Sequence, residues 1–263
     1  MLIQQNVVHL VGHKQKFASL FSVEEFWGAL RHSENVRAVM PKLRQANISA
    51  DDAPDMFASG ATICASGLES TFGKFSFLVS QVKEQLGFSG PIEIKAYYSP
   101  DGAGFDPHYD PRTVTTLQIS GSKRWSYGIG PSEQFPLCNS PYPLTPELST
   151  SLEQIGTATT VLNQGDLLCL PPGTIHWAAA TGESLAINFS FEHVGESIAD
   201  KFCRSLLLEL LENPELRKVP LENDGDNMLA SQFSDGLINE LALHLPSAIS
   251  GVIARLKADW SLS

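Results

Sequence analysis

At 263 residues, with 43% hydrophobic and 18% charged side chains, the chain can bury a sizeable core and has the balance of an ordinary globular protein. Its formal net charge of −11 repels a phosphate backbone, which excludes general nucleic-acid binding by the surface and suits either a basic protein or peptide partner or plain solubility. No leader-like basic and apolar start or membrane-length apolar run is visible, and Cys64, Cys138, Cys169 and Cys203 form no C-x-x-C pair, so a cytoplasmic protein without membrane contact, disulfide framework or zinc ribbon is expected.

Ser22 and Glu25 stand in capping-box spacing and predict a helix over 22–31. A second helix is predicted at about 74–86, where Phe75, Leu78, Val79, Val82 and Leu86 share one face and Gly87 follows as a stop. The texture then changes. Segments 92–99, 113–120, 124–128, 158–163, 166–170, 175–180 and 184–191 are short and rich in β-branched and aromatic residues, with Gly, Pro, Asn and Asp between them. That is the pattern of an all-β sandwich or barrel. The linker 129–157 carries Pro131, Pro136, Pro141, Pro143 and Pro146 and is longer than a connection needs; a lid or binding loop and a decorative insertion are both open readings. From Ser197 the pattern is helical again. Ile198, Phe202, Leu206, Leu207, Leu210 and Leu211 form an apolar stripe ended by Pro214, and two further amphipathic helices are expected at about 227–244 and 247–258. The domain reading is a helical segment with flanking strands over 1–90, a barrel over 91–195, and a helical segment over 196–263 that packs on its own domain or pairs with a second copy.

Asp106-Pro-His108-Tyr-Asp110 sets an imidazole and a carboxylate two residues apart, and on a strand both point to one face. Alone, that spacing is weak evidence. The stretch from Gly165-Asp through Pro171-Pro-Gly173-Thr-Ile-His176 is more specific: a glycine turn, an apolar strand, a reversing turn, then a histidine starting the next strand. A core histidine bonded to a backbone carbonyl is the plainer reading of His176, yet it supplies the one ligand the first motif lacks. Two histidines and one carboxylate make the facial triad of non-haem iron oxygenases, which leaves positions open for co-substrate and O₂. The remaining histidines, His9, His13, His32, His193 and His244, fit no ligand pattern and are expected on the surface or on helices.

These segments, with Lys95-Ala-Tyr-Tyr before them and Thr115-Thr-Leu-Gln118-Ile-Ser-Gly121-Ser-Lys123-Arg-Trp125 after the first motif, resemble the JmjC-fold oxygenases of the ribosomal-oxygenase type, within the cupin superfamily. The resemblance spans about residues 55–195. It implies a double-stranded β-helix (the cupin/JmjC jelly-roll barrel) with N-terminal helices and a C-terminal helical segment. It also implies Fe(II) on His108, Asp110 and His176, and 2-oxoglutarate as co-substrate. Lys123 matches the basic residue that grips the far carboxylate, with Arg124 as the alternative, and Asn188 and Tyr97 match pocket positions. Lys95 stands where the family commonly has asparagine and Thr115 where it has an aromatic. The implied activity is hydroxylation of a protein or peptide side chain by a homodimer. The competing readings are a cupin-type metalloenzyme acting on a small molecule without 2-oxoglutarate, and a non-catalytic barrel serving as a binding module.

Overall fold

The computed structural model describes residues 6–40, 44–192, 198–217 and 227–261. They fall into two compact units, Met1–Val194 and Gly195–Ser263. The first begins with a short strand, β1 (Val8–Leu10), and a helix, α1 (Val23–Ala29), which a short 3₁₀ turn extends to His32. Ser22 caps α1 as its spacing predicts: its hydroxyl accepts from the Glu25 N–H at 3.1 Å, and the Glu25 carboxylate accepts from the Ser22 N–H at 2.8 Å. Strands β2 (Asn35–Met40), β3 (Arg44–Asn47) and β4 (Thr62–Ser66), with the helix α2 (Ala53–Ala58), take positions that the sequence pattern does not mark. Helices α3 (Leu68–Thr71) and α4 (Gly73–Leu86) follow, and α4 closes on Gly87 as predicted.

The barrel strands are β5 (Ile92–Ser99), β6 (Gly104–His108), β7 (Thr113–Gly128), β8 (Thr157–Asn163), β9 (Leu167–Leu170) and β10 (His176–Phe191). All pairings among the described residues are antiparallel, in the order β1-β9-β7-β10-β5-β4-β2-β3, with β6 beside β10 and β8 beside β7. The architecture is the jelly roll expected. Two details differ from the expectation. The segments 113–120 and 124–128 are one strand, as are 175–180 and 184–191, because the glycines between them bend a strand without ending it. Gly121 has φ 66°, and a Cβ there would lie 1.9 Å from the Glu183 carbonyl oxygen on β10. Only glycine lets the two long strands touch at that bend. One half of each serves each layer: β7 pairs with β9 before the bend and with β8 after it. The linker 129–157 is also not all loop, since α5 (Pro146–Ile155) forms within it. Thr145 caps that helix and Pro146 opens it, a position where proline costs no hydrogen bond.

Alternation along β5 decides what the site can contain. Ile92, Ile94, Ala96 and Tyr98 belong to the main hydrophobic core, with Phe26, Ile63 and Phe75 from the preceding elements and Leu117, Ile119, Leu185 and Ile187 from β7 and β10. The opposite face of β5 therefore carries Glu93, Lys95, Tyr97 and Ser99 into the barrel. A smaller cluster of Trp125, Leu162, Leu168, Leu170 and Ala178 fills the other half.

The second unit consists of α6 (Ile198–Leu210), a 3₁₀ turn at Pro214–Arg217, and α7 (Asn227–Ser261). The two helices expected at 227–244 and 247–258 are this single helix, with Pro246 inside it. Proline removes one intrahelical bond but does not force an end where neighbouring turns hold. No helix among the described residues is long and apolar enough to cross a membrane.

Candidate metal centre

His108 is the last residue of β6, Asp110 lies two residues on in the bend toward β7, and His176 is the first residue of β10. The antiparallel pairing sets His108 opposite His176, with ring centroids 4.4 Å apart. Gly173 brings Asp110 in from the other side, donating its N–H to the Asp110 carbonyl at 2.9 Å. Its φ of 75°, and a Cβ that would lie 1.7 Å from the Glu133 carbonyl oxygen, explain why a glycine follows Pro171-Pro172. One potential ligand atom from each of the three side chains lies within 4.8 Å of the others.

The imidazoles are oriented by the same device. His108 Nδ1 donates to the Asp106 carbonyl at 2.7 Å and His176 Nδ1 to the Thr174 carbonyl at 2.8 Å. A carbonyl only accepts, so each Nδ1 carries a proton and Nε2 is the nitrogen left for a metal. The two Nε2 atoms stand 4.0 and 3.8 Å from Asp110 Oδ2, too far for hydrogen bonds and right for atoms that share a cation. Metal-binding histidines ordinarily have the ring held in this way, by a carbonyl on the nitrogen that faces away from the metal. The donor set of two neutral nitrogens and one carboxylate fits Fe(II).

Burial, then the neighbouring His108, pushes the His176 imidazole down to about 4, while Asp110 and the Thr174 carbonyl act the other way. His176 is thus neutral at pH 7, the form that binds a metal. Burial opposes ionisation of Asp110, but His108, His176, Arg112 and Lys95 together hold its carboxyl below the ordinary value. For a histidine whose folded-state value is depressed, protonation favours the unfolded chain. Stability is therefore full above the ordinary 6.5 and falls as pH drops toward about 4. Metal-free protein should show a melting temperature that declines through this window, and His176→Gln should flatten the decline. A His176→Gln profile parallel to the wild type would assign the decline to other groups.

Lys123 is buried and its neighbour Arg124 is exposed. Lys123 is only 2% exposed, its ammonium donates to Ser99 Oγ at 2.9 Å, and Thr62 donates to the same oxygen at 2.9 Å. No carboxylate among the described residues lies within ion-pair distance of it. Burial pushes its ammonium down to about 8, with the Cys64 thiol acting in the opposite sense. Tyr97 lies two residues before Ser99, on the same face of β5. Burial raises its phenol well above the usual range, and Cys64 and then Asp110 add to the rise. Phe105 packs edge-on against Tyr97 at 5.4 Å and reaches the His108 ring at 5.8 Å. Asn188 lies one inward-facing position along β10, opposite Lys95 and Thr116, and accepts from the Thr116 hydroxyl at 2.6 Å.

Several residues at the site escape the sequence reading. Ser99, Thr62 and Cys64 sit on β4 and the end of β5, and their small side chains carry no motif. At the rim, Lys95 pairs with Glu93 at 2.7 Å and Arg112 with Glu192 at 2.6 Å, and both cations act on Asp110. The alternation of β5 contains the signal for Glu93 and Lys95; Arg112 and Glu192 have none. His9 also departs from expectation. It lies on β1, on neither a helix nor the open surface, with Nδ1 3.1 Å from Thr160 Oγ1 and Nε2 3.5 Å from the buried Asp166. His193 lies outside the described residues.

Residues 74–197 match the JmjC domain family. Among curated relatives, ribosomal oxygenase 1 of Rattus norvegicus is 28% identical over 183 residues, covering 66% of this chain and 28% of that protein. Ribosomal oxygenase 2 of Rattus norvegicus is 38% identical over 102 residues, covering 37% and 20%. The chain thus spans less than a third of the length of these curated relatives. The X-ray structure of Escherichia coli ycfD superposes with a TM-score of 0.62 at 18% identity, covering 95% of this chain and 67% of that one. A second structure, of YcfD described as a ribosomal oxygenase in complex with cobalt and 2-oxoglutarate, gives 0.58 at 18% identity, covering 94% and 66%.

Proposed function

We propose that this chain, whose residues 74–197 match the JmjC domain family, is an Fe(II)- and 2-oxoglutarate-dependent oxygenase that hydroxylates a side chain of a protein or peptide. The observation that carries the reading is the conjunction of the His108–Asp110–His176 cluster with a buried, anion-free ammonium on Lys123 in one barrel. The relatives' description as ribosomal oxygenases, and the cobalt and 2-oxoglutarate bound by a structural neighbour, support it.

Iron(II) would supply the activation of O₂, the oxidant, with 2-oxoglutarate giving up two electrons as it is oxidised to succinate and carbon dioxide. The residues do the rest. His108, Asp110 and His176 hold the metal through Nε2, a carboxylate oxygen and Nε2, their orientation fixed by the Asp106 and Thr174 carbonyls. Lys123, positioned by Ser99 and Thr62, takes the far carboxylate of 2-oxoglutarate, an anion that could not otherwise enter a buried pocket unpaired. Tyr97 and Asn188 line the space between, and Tyr97 with Phe105 keeps water from the metal's flank. Protein incubated with Fe(II) and 2-oxoglutarate in air should release succinate, followed by NMR. A cupin-type enzyme without 2-oxoglutarate, or a binding barrel, would leave 2-oxoglutarate intact.

The partner side of the proposal is a polypeptide substrate, basic in keeping with the charge of −11, met in the cytoplasm by a homodimer. Leu207, Leu208, Ile238 and Leu243 of the second unit are 57%, 68%, 60% and 71% exposed, more apolar surface than two helices ordinarily leave to water. Light scattering at micromolar concentration should give twice the chain mass, and a monomer would make these helices plain cladding.

A further inference from the structure

The linker between β7 and α5 runs across the two turns that carry the metal-binding residues. Near its start, the Ser132 and Glu133 N–H groups donate to the Gly173 carbonyl at 2.9 and 3.4 Å. Near its end, Ser140 and Tyr109 exchange two hydrogen bonds: the Ser140 N–H donates to the Tyr109 carbonyl at 3.1 Å, and the Tyr109 N–H to Ser140 Oγ at 3.1 Å. Tyr142 adds a hydroxyl bond to Asp106 at 3.4 Å. Tyr109 lies between His108 and Asp110 and is buried.

Between these ties the loop turns apolar side chains outward. Phe135 is 75% exposed, Leu137 89% and Tyr142 50%. Single exposed apolar residues are ordinary, but three within eight positions, on a segment fastened to both ligand-bearing turns, form a patch. Phe135 also has φ 52°, a left-handed backbone rare for a bulky side chain, so the fastened loop holds it where a free chain would not. The charge carried by the loop and α5 themselves has one sign. The chain has no lysine or arginine between Arg124 and Lys201, while Glu133, Glu147 and Glu153 are exposed on the loop and α5, and Asp106 borders them.

We propose that the loop over 132–142 is the docking surface for the polypeptide substrate, and that it takes an extended basic segment carrying apolar side chains: Phe135, Leu137 and Tyr142 cover the apolar groups while Asp106 and Glu133 meet the cations. The proposal rests on the oxygenase reading above and names the surface by which a chain would reach that site. Apolar anchors within a polar, charged rim are the usual anatomy of such an interface.

The test uses the full chain loaded with Mn(II) and 2-oxoglutarate and a short fluorescein-labelled peptide of Arg, Leu, Gly and Ser, read by anisotropy. One control peptide replaces Arg by Glu, another Leu by Ser. The first peptide should bind, and both controls should bind at least about tenfold more weakly. Phe135→Ser/Leu137→Ser should lose about tenfold for the first peptide with 2-oxoglutarate affinity and melting temperature unchanged. Equal binding by the double variant, equal binding of the serine control, or no binding to the wild type overturns the proposal. So does a double variant that changes the dimer and not the peptide, which would make the patch a self-interface. Failure of the oxygenase reading would show separately, as absence of 2-oxoglutarate binding to the Mn(II)-loaded wild type.

Discussion

Lys123→Met should bind 2-oxoglutarate roughly ten- to a hundredfold more weakly, the loss of one charged hydrogen bond worth about 1.5–3 kcal/mol. The same substitution should make the protein harder to unfold. Lys123 is 2% exposed, donates only to Ser99 Oγ, and has its ammonium pushed down to about 8 from 10.5. That displacement corresponds to about 3 kcal/mol of burial cost at neutral pH. For a lysine with a depressed folded-state value, the cost is full below pH 8 and disappears as pH rises through 10.5. Methionine fills nearly the same volume with no charge to desolvate, so the gain should approach that cost. A ligand of opposite charge is the natural reason to keep such a group. Unfolding in urea at pH 7 and calorimetric titration of 2-oxoglutarate measure the two effects. If stability rises while 2-oxoglutarate affinity is unchanged, Lys123 is only a buried lysine and the clamp lies elsewhere.

Replacing His108, Asp110 or His176 by alanine should cost more than about a hundredfold in metal affinity, beyond what loss of an outer-shell partner costs, and leave the barrel folded. None of the three belongs to the main core, which lies between β5 and the N-terminal helices. Asp110→Ala should do the greatest damage, because it removes the one anionic ligand and leaves two neutral imidazoles facing a cation. In metal-free protein the same change should push the His176 value further down, since Asp110, with the Thr174 carbonyl, favours its charged form. Iron content after dialysis, with circular dichroism to check the fold, measures the effect. Stoichiometric iron retained by the His108→Ala protein would move the site.

Much of this site was legible because its chemistry sits at turns and strand ends, where sequence spacing translates directly into geometry. His108 and His176 flank a β6–β10 pairing, and the glycine after Pro171-Pro172 is required by a backbone contact that no other residue permits. Lys123 was readable from register with the triad, and its inward direction follows from strand alternation once one neighbour is placed. The second ring of residues was not legible. β4 is Thr-Ile-Cys-Ala-Ser, buried on both faces, so it shows no alternation to read, and β3 is polar and short. Without those strands, Thr62 and Cys64 had no address. Local breakers misled in both directions: Gly121 bends a strand and Pro246 sits inside a helix, and each resembles an end because tertiary contacts, absent from the local sequence, hold the element together. Pro146 misled in the opposite way, opening a helix within a stretch whose prolines suggested loop alone.

One barrel should hold a metal and 2-oxoglutarate together, and calorimetric titration of 2-oxoglutarate under argon, into the full chain with and without Mn(II), measures this. One 2-oxoglutarate per chain is expected with metal present, with much weaker binding without it and weak binding in both states for Lys123→Met. Binding that is equally strong with and without the metal, or absent in both, would show that the two do not share a site.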